Sequence, residues 1–288
     1  MTIPWRKVNP LRFSADLRTL LFLFLFNALL VVQWRNVWRS PFLLVATYTL
    51  AVVALVAKHN HMHLPIFRNR AWNSAFGLWL SALTAHPCTG IITSHNELHH
   101  GQNNTDADFV RSSLVHYRSN LANLAAFFFA SVATMYRNKP ADLEIWRCSK
   151  LQLYRQAIAE RCLTYSVLAV LLIINYRSTL KYCIGPWFFG QWVLVTINLL
   201  QHQACDAASR FNHSRNITGR IANWLLLNNG YHTVHHMFPT AHWSKLPVIH
   251  ERVVAPHLQP GLSERSLWLC VWRRFILGRN KDWQGAGT

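Results

Sequence analysis

Three histidine clusters have the spacing at which side chains on one helix face bind a metal ion. Their sequences are His59-Asn-His-Met-His63, His95-Asn-Glu-Leu-His99-His100 and His232-Thr-Val-His235-His236. Residues three or four positions apart share a face of an α-helix, so each cluster can direct two or three imidazoles to one point. Imidazole binds zinc, iron, copper and nickel. Eight histidines, all those of the clusters except His61, have this spacing, and eight exceed what one ion can use. The spacing therefore predicts a site for two metal ions.

Two residues inside the clusters are predicted to take no part in metal binding. His61 is two positions from each neighbouring histidine, which turns it to the opposite side of a helix. Glu97 has the same relation to the second cluster, and we expect it to be solvated. The other histidines are scattered, and we expect them at the surface or at interfaces: His86, His116, His213, His242, His250 and His257.

The elements that must position these clusters are long apolar helices. The chain is 51% hydrophobic and contains 13 Trp and 16 Phe, yet its formal net charge is +18. Four apolar runs have about the length needed to cross roughly 30 Å of hydrocarbon. They cover residues 17–33, 41–57, 162–176 and 184–200. We predict an all-α integral membrane protein with four transmembrane helices in two hairpins, formed by a single domain over residues 1–288.

Two further apolar stretches are ambiguous, because one contains polar residues and the other is short. Residues 71–92 and 121–135 are therefore predicted to form interfacial or partly inserted helices. The remaining helical segments would form a cap that carries the histidine clusters.

The distribution of Lys and Arg predicts which side of the membrane carries the clusters. Basic residues are frequent before the first run, in residues 58–160 and after residue 202, which predicts that these parts and the clusters face the cytoplasm. Arg35 and Arg39 lie in the predicted outer loop, against this trend. Nucleic-acid binding is the usual alternative for a basic chain, but anionic headgroups and an acidic protein partner account for the charge without it.

The six cysteines favour isolated, reduced thiols, because no CxxC pair occurs. No iron-sulfur ligand pattern is present in the sequence either. Any electron transfer would therefore need a separate protein.

The end of the fourth apolar run and the loops beyond two clusters add candidate site residues. Asn198 and His202 stand one helical turn apart on one face. Alone, His202 is equally consistent with a helix-end histidine stabilised by the helix dipole. Asp106, Asp108 and Asp206 follow ligand candidates, and each could hold an imidazole through its other nitrogen. For Asp106 and Asp108 a polar loop is an equal alternative.

Taken together, these motifs resemble those of the membrane fatty acid desaturase and hydroxylase superfamily. The resemblance covers residues 58–239, with two spans before them in register. It implies a non-haem di-iron centre, with no catalytic side chains beyond the ligands. The ligands it implies are His59, His63, His95, His99, His100, His202, His232, His235 and His236, with Asn198 reaching a metal through water, as in stearoyl-CoA-type members.

The resemblance implies an acyl desaturase that uses dioxygen and two external electrons. Cleavage of an unactivated methylene C–H bond requires activated dioxygen, which a metal rather than a side chain supplies. The 11 carboxylates include a single ExxH pair, Glu97 with His100, which disfavours a ferritin-like di-iron site that needs Glu from several helices. The acyl chain would be carried by a lipid, by CoA or by a carrier protein. We expect a separate donor such as an acidic ferredoxin, and a location in the bacterial inner membrane.

Several alternatives remain open from the sequence. Three residues separate the first histidine of the second cluster from its doublet, a spacing also found in hydroxylating members. Hydroxylation, ketolation or alkyne formation on the same centre is therefore possible. A membrane zinc hydrolase would need only about three ligands and a carboxylate base. A metal transporter or sensor would place its ligands near the bilayer midplane, whereas these clusters lie outside the apolar runs.

Overall fold

The computed structural model describes residues 9–138 and 142–278, which are mostly helical. The α-helices are α1 Asp16–Trp34, α2 Pro41–His63, α3 Arg70–Leu83, α4 His100–Gln102, α5 Asn120–Arg137, α6 Asp142–Ser149, α7 Leu151–Thr179, α8 Gly185–His202, α9 Arg220–Leu225, α10 His232–Met237, α11 Leu246–Ile249 and α12 Leu267–Val271. Segments of π-helix are Ile92–His99, Leu180–Ile184, His250–Val254 and Trp272–Ile276. Turns of 3-10 helix are Cys88–Ile91, Ser112–Leu114, Trp243–Lys245, Ala255–His257 and Pro260–Leu262. Two short strands, β1 Asn216–Ile217 and β2 Ser263–Glu264, pair in parallel.

Three helical stretches among the described residues are long and apolar enough to cross a membrane. They are Asp16–Trp34, Pro41–His63 and Leu151–His202, and a bent pair of segments, Arg70–Leu83 with Cys88–Gln102, is a fourth candidate. The predicted spans 17–33 and 41–57 lie within the first two. The predicted spans 162–176 and 184–200 both lie within the third, which is 52 residues long. The helical membrane protein is confirmed, and the two-hairpin arrangement stays a prediction.

The loop expected between the last two spans is helical, with a break at Asn175. Its backbone angles, φ −155° and ψ 82°, lie outside the helical region. The Asn175 side chain accepts a hydrogen bond from the Ser178 N–H, which starts a new turn after the break. The Thr179 hydroxyl bonds to the carbonyls of Leu171 and Asn175, so the carbonyls freed at the break have a partner.

The chain forms two compact units, and the first comprises residues 9–91 and 142–190 of the described chain. Apolar side chains of α1, α2 and α3 form its interior, among them Leu23, Phe26, Val53 and Leu80. Some polar groups inside this unit pair with one another, as a span in hydrocarbon favours. The Trp34 indole, for example, donates to the Thr179 hydroxyl at 2.8 Å.

Lys58 and Glu160 are among the charged side chains that this first unit buries. The Lys58 ammonium donates to the carbonyl of His86 at 2.7 Å and contacts its ring Nδ1 at 2.8 Å. The Glu160 carboxylate accepts from the N–H and the hydroxyl of Thr89. Buried charges are tolerated when they are fully hydrogen-bonded, and these two fix α2 and α7 to the turn after α3.

The second unit comprises residues 92–138 and 191–278 of the described chain. Leu124 and Phe127 of α5 pack with Leu199 of α8 and with Phe275 near the C-terminus. Because α5 buries one face and exposes residues such as Phe129, it is amphipathic, and the interfacial placement of 121–135 stays a prediction.

Candidate metal centre

Four histidines of the second unit direct a ring nitrogen toward one point. His99, His202, His232 and His236 each offer one nitrogen, and these nitrogens all lie within 4.8 Å of one another. The Nε2 atom of His232 is 2.8 Å from that of His202 and 3.1 Å from that of His236. Among the described residues, the buried Nε2 of His99 has no hydrogen-bond partner. A set of converging imidazoles with an unpaired buried nitrogen fits a transition-metal ion.

Three more histidines of the second unit form another nitrogen-only group. His95, His100 and His235 each offer a nitrogen, and these also lie within 4.8 Å of one another. The Nε2 atoms of His95 and His100 are 3.1 Å apart, and the rings of His100 and His235 are 4.7 Å apart. The second and third clusters therefore each contribute histidines to both of these groups.

The helix type explains how the second cluster divides. The sequence predicted that His95 and His99 share an α-helical face, but residues Ile92–His99 form a π-helix. The π-helix has i to i+5 hydrogen bonds, so His95 meets His100 five positions on, and His99 turns to the other group. In the α-helix α10 the corresponding pair is His232 and His236, at i and i+4. In both clusters, the first and last histidines thus belong to one group and the middle histidine belongs to the other group.

The first cluster lies at the end of α2 in the first unit. The rings of His59 and His63 are 4.8 Å apart and nearly perpendicular, as the HxxxH spacing predicted for residues on one face. His61 packs edge-on against Phe76 at 4.9 Å, and its Nδ1 accepts from the Ile66 N–H. The ring of His61 therefore has partners other than the first-cluster pair.

The sequence also matches a known protein family. The family model for fatty acid desaturases covers residues 17–268. The chain belongs to the fatty acid desaturase family. Membership agrees with the apolar helical stretches that are long enough to cross a membrane.

Two curated relatives of this desaturase-family chain are sphingolipid delta(4)-desaturases. One, from Komagataella phaffii (strain GS115 / ATCC 20864), is 24% identical over 234 residues. The other, from Candida albicans (strain SC5314 / ATCC MYA-2876), is 23% identical over 238 residues. Each match covers 77% of this chain and 63% of the relative, so the chain spans less than two thirds of the length of these relatives.

In this desaturase-family chain, one of the three aspartates proposed from sequence contacts a clustered histidine. Asp108 is buried, and its Oδ2 lies 2.9 Å from Nδ1 of His99. Burial opposes ionisation of Asp108, yet the hydrogen bonds that it accepts from His99 and from the N–H groups of Val110 and Asn104 outweigh burial and lower its pKa. Holding Nδ1–H in this way leaves Nε2 of His99 for a metal.

The other two aspartates are at the surface. Asp106 is fully exposed and lies 3.6 Å from Arg111, and Asp206 accepts from the Ala208 N–H in a turn. Neither forms a hydrogen bond to an imidazole within the part of the chain described. The sequence assigned the three aspartates the same role because each follows a ligand candidate, but only the Asp108 loop folds back onto the histidines.

The end of α8 holds His202 in one tautomer. The carbonyl of His213 is 3.2 Å from Nδ1 of His202, which must donate to it, so Nε2 is the nitrogen that faces His232. The buried Arg215 donates to the carbonyls of Leu200 and Gln203 at the same helix end. The amide of Asn198 donates to the Val110 carbonyl at 3.1 Å, which ties α8 to the Asp108 loop.

Burial also keeps two imidazoles of the third cluster neutral, those of His232 and His236. It lowers the pKa of both His232 and His236 well below the ordinary value, and the neighbouring histidines lower it further. A neutral imidazole is the form that binds a metal. His232 and His236 are therefore in the form that can bind a metal at neutral pH.

Three histidines expected at the surface or an interface are buried instead: His213, His242 and His250. The His213 ring lies 5.4 Å from that of His236, and its Nδ1–H donates to the carbonyls of Ser209 and Arg210. Scattered positions carry no periodic signal, so packing alone decides their burial.

Sequence reasoning also missed a buried polar network that holds α10. Asn216 accepts from the Thr233 N–H at 3.1 Å and donates to its hydroxyl at 2.8 Å, and Ser214 bonds to the same hydroxyl. The network pairs a first-turn N–H that a helix otherwise leaves free. Gly230 permits the approach, since a Cβ there would collide with the Ile217 carbonyl oxygen. No local motif marks these residues, because the partners are 17 or more positions apart.

Proposed function

We propose that this protein is a membrane di-iron desaturase that introduces a double bond into the acyl chain of a lipid. The observation that supports it most directly is the pair of nitrogen-only groups in the second unit, one of four histidines and one of three. Such ligation suits iron and leaves coordination positions for dioxygen. A carboxylate base of the kind a zinc hydrolase needs is absent from both groups as described.

The ligands proposed for one iron are His99, His202, His232 and His236. Those proposed for the other include His95, His100 and His235. His59 and His63 are assigned to the centre by their HxxxH motif, and Asn198 is assigned to it through water by its place one turn before His202. Asp108 serves the centre by holding His99 rather than by binding metal.

The reaction would remove two hydrogens from adjacent methylene carbons. When bound, the irons supply the activation of dioxygen that no side chain can provide. The substrate loses two hydrogens, dioxygen accepts them with two electrons and two protons, and two water molecules leave. The chain's own residues orient the imidazoles, keep them neutral and exclude water from the buried nitrogens.

The substrate, donor and location are further parts of the proposal. Because the two relatives are sphingolipid desaturases, an acyl chain carried by a membrane lipid is favoured over one carried by CoA or a carrier protein. The net charge of +18 favours a small acidic electron donor such as a ferredoxin. We propose that the enzyme lies in the bacterial inner membrane. The distribution of basic residues favours a centre that faces the cytoplasm.

Metal analysis combined with product analysis tests the proposal. Protein purified in detergent after expression with ample iron should contain about two irons per chain, as expected for two ligand groups. Given a lipid with deuterated chains, a reductant and dioxygen, it should form an alkene. His235→Ala should lose iron and activity, whereas His116→Ala, at an exposed position, should keep both. About one zinc and no iron would contradict the proposal, and a hydroxylated product would reassign the outcome to the hydroxylase alternative.

A further inference from the structure

The first unit contains an apolar cavity of about 220 Å³ that none of the proposed metal ligands lines. Its walls include Asn27, Val31 and Trp34 of α1, Trp79 of α3, Leu171 of α7 and Trp187 of α8. No charged side chain occurs among the lining residues that the structure describes. Because an apolar cavity of roughly 150 Å³ stays dry and binds benzene, this one can hold a segment of hydrocarbon chain.

The polar atoms of its tryptophans have partners away from the cavity. The Trp34 N–H donates to Thr179 at 2.8 Å, and the Trp187 N–H donates to the Leu83 carbonyl at 2.7 Å. The rings therefore present apolar surface to the space between them. Val31 on the wall is 52% exposed, so the cavity reaches the lipid-facing side of a spanning helix. A lipid acyl chain can enter there without crossing water.

Cationic side chains gather at the same end of this unit. Arg35 follows α1 directly and Arg177 lies near the end of α7, and the Trp34–Thr179 hydrogen bond joins these two helix ends. Lys181 lies four residues beyond, and Arg39 belongs to the connection between α1 and α2. All four are exposed. Residues 34–40 and 175–184 contain no Asp or Glu, so neither segment supplies a counter-charge.

These cations also run against the positive-inside trend of the rest of the chain, so orientation does not explain them. The partners seen for two of them are neutral: Arg39 donates to Asn36, and Arg177 donates to the Tyr176 hydroxyl. Uncompensated basic groups at a bilayer surface attract anionic headgroups.

We propose that this end of the first unit binds one anionic phospholipid. One of its acyl tails would occupy the cavity, and its phosphate would lie at Arg35, Arg177 and Lys181. A zwitterionic lipid would leave the cations unmatched, and inorganic phosphate would leave the cavity unfilled. The site takes no part in the proposed desaturation, so the two proposals stand or fall separately.

Native mass spectrometry of the purified full chain, titrated with phosphatidylglycerol or with phosphatidylcholine of the same tails, tests the site. Wild-type protein should retain one phosphatidylglycerol, with an affinity on the order of tenfold above that for phosphatidylcholine. The triple variant Arg35→Gln, Arg177→Gln, Lys181→Gln should reduce the phosphatidylglycerol affinity to the phosphatidylcholine level. The matched control Arg147→Gln, Lys150→Gln, Arg155→Gln removes three exposed cations elsewhere in the unit and should keep the preference.

A cavity variant tests the tail half of the proposal. Ala82→Phe places a ring in the cavity and should weaken both lipids at least fivefold, with an unchanged melting temperature as the folding control. If Ala82→Phe misfolds, Val31→Phe fills the same space from the exposed rim. Equal binding of the two lipids by wild type, an equal loss in the control triple variant, or full retention in both cavity variants would overturn the site. A cavity variant that shortens the product chain while keeping lipid bound would assign the cavity to the substrate instead.

Discussion

Single buried residues decide which nitrogen of each imidazole is available to a metal. Asp108 accepts from Nδ1 of His99, and the carbonyl of His213 accepts from Nδ1 of His202. In each case Nε2 remains for the metal. The acceptors differ in kind, because one is a charged side chain and the other is a backbone group, so only the first can be removed by substitution.

Asp108→Ala should weaken iron binding by about 10- to 100-fold, the usual cost of losing a partner of a ligand imidazole. The change leaves Nδ1 of His99 and two backbone N–H groups buried without their acceptor. Asp108→Asn should keep part of the affinity, because its oxygen can still accept. Competition with a chelator measures each variant, and Asp106→Ala, at a fully exposed position, is the control. Equal iron affinity in Asp108→Ala and wild type would refute the role of Asp108.

At the scale of elements, the centre depends on where α10 begins and on how the second cluster is wound. Both elements are short, so their own hydrogen bonds contribute little and their positions depend on contacts to the rest of the second unit. The Asn216 network fixes the start of α10, and the π-helix Ile92–His99 sets the order of the second cluster. Each suggests a separate test.

Asn216→Ala should lower the free energy of unfolding by about 1–3 kcal/mol, the cost of leaving a buried donor unpaired. The unpaired groups would be the N–H and hydroxyl of Thr233, next to His232. We expect a lower melting temperature in detergent and a lower iron content. Asn228→Ala, which removes a bond to the Trp243 carbonyl at a half-buried position, serves as the comparison. A melting temperature and iron content equal to wild type in Asn216→Ala would argue against the network.

Deletion of Glu97 should convert the second cluster to the HxxHH spacing of α10 and preserve two irons. A π-helix is an α-helical turn with one extra residue, so removing one residue allows an α-helix that still pairs the first and last histidines. Glu97 is exposed, so little packing is lost with it. Deletion of both Glu97 and Leu98 leaves HxHH, which cannot pair those residues and should lose iron. Iron analysis of the two folded deletion variants measures how much metal each one retains. Loss of metal in the variant that lacks only Glu97 would contradict the π-helical account.

At the scale of the whole molecule, the dominant features are apolar helices and an excess of positive charge. The first makes the protein a membrane protein by length and composition. The second gives a net charge of +18 that acts on any charged partner over about a Debye length.

Turnover supported by an acidic ferredoxin should fall several-fold as salt rises from about 0.05 to 0.5 M, because salt screens the attraction between the partners. Turnover supported by dithionite should change little over the same range, which controls for effects on the enzyme itself. Oxygen consumption with lipid substrate measures both. A salt dependence that is equal for the two reductants would count against electrostatic docking of the donor.

The sequence by itself determined the clustered histidines, the apolar helices and the family, because histidine spacing and hydrophobic runs are local patterns. It predicted the His59/His63 pair and the apolar runs that lie within α1 and α2. Only the tertiary structure decided how His95, His99 and His100 divide, because a π-helix and an α-helix are not distinguished by composition. Tertiary contacts likewise selected Asp108 among the three aspartates. They also buried His213 and brought Asn216 to Thr233, since these partners are distant in the chain and meet only when the second unit packs.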